Sequence, residues 1–175
     1  MTQAVELWTL CFEDSRETAE EFFSLCGVGT LTEYSPQGEL AGMASLVPVS
    51  DSLGGRGYYA YGVCVHPSFR GQGLFRKLML RCEETAREQG ASYLCLIPAD
   101  AELRDTYIRM GYEIPVELCT GGREGVAIRS GSEDFSRFAQ TDAEPSVEMR
   151  GLFKPFDESY SSDMKFYFPE RMGEC

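Results

Sequence analysis

The sequence contains no apolar run of about eighteen residues, the length that a membrane-spanning helix requires. The segment from Met1 to Leu10 also lacks the basic side chains that open a secretory signal peptide, and it includes Glu6. We therefore expect neither a membrane span nor a signal peptide. These absences predict a soluble, cytoplasmic protein without membrane contacts.

Histidine is nearly absent, with His66 the only one in the chain. The seven cysteines are scattered along the sequence and never form a Cys-x-x-Cys pair. Neither residue type therefore shows the spacing of a metal site. We expect no bound metal, and we expect the cysteines to be reduced and mostly packed in the core.

Basic residues are few, since 16 Lys and Arg face 28 Asp and Glu and leave a net charge of −12. Such a surface repels phosphate backbones, and no basic stripe with interleaved aromatic residues offsets the repulsion. Nucleic-acid binding is thus not expected. An acidic surface attracts cationic molecules such as amines, but it more often serves solubility alone, so charge identifies no substrate.

The chain has 175 residues, 43% of them apolar, which suits one domain that buries about two-thirds of its unfolded surface. Hydrophobic periodicity predicts elements mainly in its first two-thirds. These are helices over 5–12 and 14–26, strands over 29–34 and 40–49, a glycine-rich loop over 51–57, a strand over 58–66, a helix over 73–90, a strand over 93–97, a helix over 100–111 and a strand over 112–120. The divergent remainder, 121–175, predicts a helix over 133–140 and strands over 147–153 and 164–168.

Two details support these elements. Asp14, with Glu17 three residues later, resembles a capping box that opens the second helix, and Asp100 can cap the last one. The order of strand 58–66, helix and strand 93–97 predicts a right-handed parallel unit.

The most informative segment joins strand 58–66 to the following helix through Arg70-Gly71-Gln72-Gly73. Backbone N–H groups converge at a helix N-terminus and attract anions. Gly71 and Gly73 let the main chain approach a phosphate, while Arg70, Arg76 and Lys77 add positive charge. The P-loop pattern is absent, and Arg76 stands where a dinucleotide loop needs its third glycine. A simple glycine turn with solvated arginines remains the alternative.

The segment resembles the cofactor motif of the GNAT superfamily of acyl-CoA-dependent N-acyltransferases. Val65-His66-Pro67, followed by Arg70-Gly71-Gln72-Gly73-Leu74, is similar to that motif. The second landmark of the superfamily, an aromatic residue followed by x-x-x-Gly-[Phe/Tyr], appears as Tyr107 with Gly111 and Tyr112. Both landmarks fall within 58–114, with a predicted strand between them.

The resemblance implies an α/β (α+β) fold. Its sheet is mixed and mostly antiparallel, has flanking helices, and contains a central pair of parallel strands that splay apart. Acetyl-CoA is implied as co-substrate, with pantetheine in the gap and an N–H near Val63 to Val65 stabilising an oxyanion. The residues implied to bind it are Val63, Cys64, Val65, Arg70, Gly71, Gln72, Gly73, Leu74, Phe75, Arg76, Asp100 and Tyr107.

In this family an amine attacks the thioester directly, so the implied activity is N-acetyl transfer to a primary amine of a small molecule or peptide. Tyr107 is the implied general acid that protonates the departing thiolate. Its reference pKa of about 10 exceeds that of a thiol, about 8.5, so positioning or a water relay must assist the transfer. The candidates for the general base are Glu13, Asp14, Asp100 and Glu102.

The sequence departs from the family pattern at three points. Phe75 stands where Gly or Ala is usual, so either the helix tilts or the ring turns inward. Asp100 stands where many members have an Asn, and a carboxylate cannot donate a hydrogen bond. The strand that normally precedes the first helix is missing or very short.

Several alternatives stay open. The chain could be a non-catalytic acyl-CoA-binding or interaction module, which Phe75 and Asp100 favour, or a binder of nucleotide phosphates. A Cys-His mechanism would need His66 with Cys64, but we interpret His66 as a strand-end residue. Tyr59 and Tyr61, expected on the same strand face as Val63 and Val65, either line the acceptor pocket or pack in the core. The tail either shapes the acceptor cleft or exchanges a strand within a homodimer.

Overall fold

The computed structural model describes residues 2–25, 29–51, 55–116, 151–156 and 166–167. The helices are α1 (Thr2–Phe12), α2 (Arg16–Leu25), α3 (Leu74–Glu88) and α4 (Ala101–Ile108), with a short 3-10 turn over Pro67–Phe69. The strands are β1 (Gly29–Tyr34), β2 (Leu40–Asp51), β3 (Arg56–Val65), β4 (Tyr93–Leu96), β5 (Ile114–Val116), β6 (Gly151–Pro155) and β7 (Phe166–Tyr167).

The strands form one sheet in the order β1-β2-β3-β4-β6-β5, and β7 pairs with the end of β2. Among the described strands, β3 and β4 are the one parallel pair, and every other pairing is antiparallel. Helix α3 makes the crossover between β3 and β4. The expected mixed, mostly antiparallel sheet around a parallel pair is confirmed.

Helices cover both faces of the sheet. On one face, α1 and α2 bury Trp8 and Phe22 against Tyr59 and neighbouring strand residues. On the other, α3 and α4 bury Leu78 and Tyr107 against alternate residues of the same strands. Each fully buried large apolar side chain contributes roughly 1.5–3 kcal/mol, so the two clusters hold α1 and α3 on opposite sides of β3.

A β-bulge interrupts β3. Met43 of β2 pairs with Cys64 and Ser45 pairs with Tyr61, so two steps along β2 match three along β3. Gly62 takes up the extra residue with a φ of 60°. The alternation of faces therefore shifts: Tyr59, Tyr61 and Cys64 face α1, whereas Val63 faces α3. The expectation that Tyr59 and Tyr61 share the face of Val63 is wrong, because it assumed an unbroken period of two.

The ends of several elements also differ from expectation. Ser15, not Asp14, caps α2, because its hydroxyl accepts a hydrogen bond from the N–H of Thr18 at 3.1 Å. Strand β2 continues to Asp51 and β3 begins at Arg56, which shortens the predicted glycine-rich loop.

In the last third, the predicted strands 112–120, 147–153 and 164–168 correspond to β5, β6 and β7, which are shorter or shifted within the described residues. The predicted helix 133–140 lies outside those residues. Within the described residues, α1 and α2 precede every strand. This order agrees with the expectation that the strand usually found before the first helix is missing or very short.

The bulge predicts a stability difference between two glycine substitutions. A Cβ at Gly62 would lie 2.5 Å from a ring carbon of Trp8, whereas a Cβ at Gly38, which also has a positive φ, meets nothing within 4 Å. We expect Gly38→Ala to cost about 1–2 kcal/mol from backbone strain. Gly62→Ala should cost roughly 1–3 kcal/mol more because of the clash. Urea unfolding measures both, and equal losses would show that Trp8 does not lie over the bulge.

Candidate functional site

The parallel strands β3 and β4 separate soon after they meet. Gly57, Tyr58 and Tyr59 pair with Tyr93, Leu94 and Cys95, and the described pairing between the two strands ends there. Beyond Tyr59, β3 runs on to Val65 with β2 as its described strand partner. The expected splay is thus confirmed, and it leaves the Val63–Val65 edge of β3 without a partner among the described strands, next to the N-terminus of α3.

The loop after β3 leads into an α3 N-terminus whose N-cap residue is a glycine and so has no side chain to cap it. Gly73 is the N-cap residue, with a φ of 78° and no side-chain hydrogen bond to the first turn. Gly71 has a φ of 76°, and a Cβ at either glycine would meet nothing within 4 Å. Within the described part of the chain, the space next to both glycines is therefore open, so that a phosphate group can approach the amides of the first turn.

The arginine and lysine side chains of the loop differ in their partners. Arg70 donates its Nε–H to the carbonyl oxygen of Val65 at 3.2 Å, which ties the loop to the end of β3. Arg76 is exposed. Lys77 donates to the Glu33 carboxylate at 2.6 Å, so its charge is neutralised rather than free for the loop, contrary to expectation.

Phe75 and Tyr107 lie behind the loop. The Phe75 ring turns inward, with its centroid 5.4 Å from that of Tyr107. Tyr107 is 5% exposed, and burial raises its pKa well above the usual value, with a smaller contribution from Cys82. Within the described residues, the Tyr107 hydroxyl has no hydrogen-bond partner. The inward ring is the arrangement that leaves the phosphate loop open.

A family model described as the acetyltransferase (GNAT) family matches residues 1–112. The chain belongs to the GNAT family. Comparison with curated proteins finds no match. The matched range includes the splayed strands, the loop, α3 and α4.

Solved structures share the GNAT fold. An Escherichia coli GNAT family N-acetyltransferase, YhbS, solved in complex with CoA, is 19% identical, with a TM-score of 0.59 over 88% of this chain and 74% of its own. A candidate acetyl transferase from Pyrococcus furiosus is 26% identical, with a TM-score of 0.52 over 63% and 81%. An Anabaena variabilis GCN5-related N-acetyltransferase is 24% identical, with a TM-score of 0.51 over 60% of this chain and 28% of its own.

Proteins of the GNAT family use acetyl-CoA, and the residues present fit its diphosphate. The uncapped first turn of α3 offers N–H donors, and the two glycines leave room where a Cβ would stand. Arg70 brings a guanidinium group to the same loop. Among the described residues, no group of three or more metal-ligating side chains comes together. The longest described helix, α3, has 15 residues, and none in the described part of the chain has the length and apolar composition of a bilayer span.

The remaining candidate carboxylates of the GNAT site have different surroundings. Asp100 caps α4, accepting a hydrogen bond from the N–H of Leu103 at 2.7 Å. Asp14 accepts one from the indole N–H of Trp8 at 2.7 Å. Glu13 lies between α1 and α2 with a positive φ of 58°, a strained conformation for a residue other than glycine. Glu102 is exposed in the first turn of α4.

His66 acts locally in the structure. Its Nδ1 accepts a hydrogen bond from the N–H of Ser68 at 3.2 Å and so caps the 3-10 turn that starts the loop. This contact agrees with the interpretation of His66 as a strand-end residue.

Cys11 is a residue that the sequence did not single out. Its sulfur lies 3.7 Å from the carbonyl oxygen of Val65, although 54 positions separate them. A hydrogen bond from Cys64 and the nearby charge of Arg70 lower the pKa of the half-buried Cys11 thiol to about 7, although desolvation opposes this. The same hydrogen bond, with burial, raises the pKa of Cys64. No motif in the sequence links α1 to the end of β3.

This arrangement predicts a selective thiol. Iodoacetamide should alkylate Cys11 faster than Cys64 or Cys95, because the pKa values of the latter two are raised. The rate at Cys11 should rise as the pH passes through about 7 and level off above it, since only the thiolate reacts. Peptide mass spectrometry of the native protein follows each site, with Cys11→Ser as control. A rate that still rises steeply near pH 9, or labelling of Cys95 at the same rate, would contradict this assignment.

Proposed function

We propose that the protein transfers an acetyl group from acetyl-CoA to a primary amine, by direct attack of the amine while both substrates are bound. The observation that carries the proposal is the glycine-capped N-terminus of α3 beside the Val63–Val65 edge of β3, which has no partner among the described strands. One feature suits an anion, and the other suits an extended chain that can pair with a strand. Their adjacency matches the two parts of CoA, a diphosphate and a pantetheine arm.

Binding of the diphosphate falls to the loop and the first turn of α3. Backbone N–H groups of Gly71 to Arg76 provide donors, and the Arg70 guanidinium, held by Val65, provides charge. The edge of β3 from Val63 to Val65 provides main-chain groups for the arm. When bound, acetyl-CoA supplies an activated thioester carbonyl, and a β3 N–H aimed at its oxygen would stabilise developing negative charge.

Tyr107 acts in this proposal as a neutral donor to the departing thiolate. Because burial raises its pKa, the hydroxyl stays protonated throughout the working pH range. The same shift makes complete proton transfer more uphill than the reference values imply. Tyr107 therefore donates a hydrogen bond to the departing thiolate, and a water relay delivers the proton that the thiolate takes up.

The amine needs a base or a water chain, because an amine with a pKa near 10 is mostly protonated at neutral pH. Glu13 and Glu102 are the candidates for this base, since Asp14 and Asp100 already accept hydrogen bonds from Trp8 and Leu103. The acceptor in this proposal is a small molecule or a peptide, and the net charge of −12 is compatible with a cationic amine without identifying it.

A non-catalytic acyl-CoA-binding module is the second candidate. Two observations favour it: Asp100 is engaged as a helix cap, and Tyr107 is buried. Release of CoA thiol from acetyl-CoA across a panel of amines separates the candidates. We expect release with at least one acceptor class, whereas CoA binding without turnover on any amine would favour the module.

The loop predicts the effect of a methyl group on CoA affinity. Gly73→Ala places a Cβ in the open space of the loop, and we expect the Kd for CoA to rise at least roughly tenfold, or about 1.4 kcal/mol. Gly38→Ala carries similar backbone strain outside the loop and should leave the Kd unchanged. Isothermal titration calorimetry measures both. Equal affinities for the two variants would show that the diphosphate binds elsewhere.

The proposed role of Tyr107 predicts that its hydroxyl contributes to kcat but not to the affinity for acetyl-CoA. Tyr107→Phe removes only the hydroxyl, so kcat should fall roughly 10²-fold while the affinity for acetyl-CoA hardly changes. Because the pKa of Tyr107 is raised, its ionisation should cause no loss of rate up to about pH 10 in the parent protein. Initial rates across this pH range test both statements, and an unchanged kcat would remove the acid role.

A further inference from the structure

Glu83 is a charged residue buried in the core. It lies on the inner face of α3 with 3% of its surface exposed. Its carboxylate accepts hydrogen bonds from the Lys154 ammonium at 2.8 and 2.9 Å and from the Tyr112 hydroxyl at 3.1 Å. Arg87 lies at 3.5 Å. A buried carboxylate without such partners would be strongly destabilising, so these contacts are obligatory for its position.

Lys154 connects this carboxylate to the turn after α4. The side chain belongs to β6, and its ammonium also donates to the carbonyl oxygen of Met110 at 2.9 Å. At the next residue, Gly111, a Cβ would lie 3.4 Å from the Lys154 side chain. The lysine therefore packs directly against the turn.

That turn holds Tyr107. The Tyr107 carbonyl oxygen accepts hydrogen bonds from the N–H groups of Met110 at 2.9 Å and Tyr112 at 3.1 Å. The Tyr107 ring packs edge-on against the Tyr112 ring, with centroids 5.8 Å apart, and against Phe75. Both the backbone and the ring of Tyr107 thus contact groups that Glu83 or Lys154 holds.

We propose that Glu83 and Lys154 are positioning residues for Tyr107, clamping the turn after α4 so that the phenol keeps one orientation beside the splayed strands. This inference rests on the proposed function for its catalytic consequence, but the clamp itself is independent of activity. Replacing a buried ion pair with apolar residues is often neutral or stabilising, so stability alone accounts poorly for the pair. A fixed phenol accounts for it, because small displacements of a reacting group are costly to the rate.

The structure offers a matched control. Glu33 is a second buried glutamate with two cationic partners, Lys77 and Arg81, and both partners lie on α3. Arg81→Met removes one of two cations from Glu33, just as Lys154→Met removes one from Glu83. The Glu33 cluster ties α3 to β1 and has no contact with the turn after α4 among those described.

The first readout is structural. 3-Fluorotyrosine at position 107 gives a ¹⁹F NMR signal that reports the orientation of the ring. We expect one sharp resonance in the parent protein and in Arg81→Met, and a shifted or split resonance in Lys154→Met that Lys154→Arg restores. Tyr112→Phe keeps all charges and removes one hydrogen bond to Glu83, so its ¹⁹F resonance should change less. This variant provides a second test in case Lys154→Met does not fold. An unaltered signal in both Lys154→Met and Tyr112→Phe would overturn the clamp.

The second readout is a double-mutant cycle on kcat. Lys154→Met should lower kcat roughly tenfold or more with little change in the KM for acetyl-CoA, and it should add no further loss in a Tyr107→Phe background. Losses that multiply would show that Lys154 does not act through Tyr107. If Tyr107→Phe alone is fully active, the acid role of Tyr107 fails, and if no amine is acetylated, the proposed function fails. In either case the ¹⁹F result on the clamp still stands.

Discussion

Among the described strands, β3 pairs with β4 over three residues and then continues to Val65 with only β2 beside it. This divergence positions the rest of the site, because this edge ends where the chain turns into α3, and the N-cap residue Gly73 has no side chain to cap the first amides of that helix. The bulge at Gly62 lies within the diverging segment and increases the local twist of the strand. Trp8 covers the bulge from the side of α1.

An uncapped helix end is useful only if the helix is held in place. Two buried glutamates brace α3 against different strands, Glu33 from β1 and Glu83 through Lys154 of β6. Burial opposes the ionisation of Glu33, but Lys77 and Arg81 outweigh it and lower its pKa. Lys77 and Arg81 of α3 therefore anchor the helix through Glu33. Arg70, which donates a hydrogen bond to the carbonyl oxygen of Val65, is the cation that lies in the loop of the candidate diphosphate site.

Local sequence patterns predicted the parts of the fold that depend on neighbouring residues. Gly71 and Gly73 before a helical apolar stripe predicted the loop and α3, and Asp100 predicted the cap of α4, because backbone conformation and capping act over a few residues. The inward ring of Phe75 was one of two expected arrangements, and only packing against Tyr107 decides between them.

Features that depend on distant partners could not be predicted in this way. The bulge at Gly62 broke the strand alternation and moved Tyr59 and Tyr61 to the face opposite Val63. Glu83 and Lys154 are 71 positions apart, and no local pattern marks either as half of a buried pair. The sequence predicted Asp14 as a helix cap, but in the structure Asp14 accepts a hydrogen bond from the indole N–H of Trp8, and Ser15 caps α2 instead.

The most direct measurement is a crystal structure of the protein with CoA. We expect the diphosphate against the amides of residues 71–76 and the pantetheine arm along the edge of β3, in the gap that opens beyond Tyr59 and Cys95. Well-ordered CoA bound away from the N-terminus of α3, or pairing of β3 with another strand where the arm should lie, would contradict this assignment.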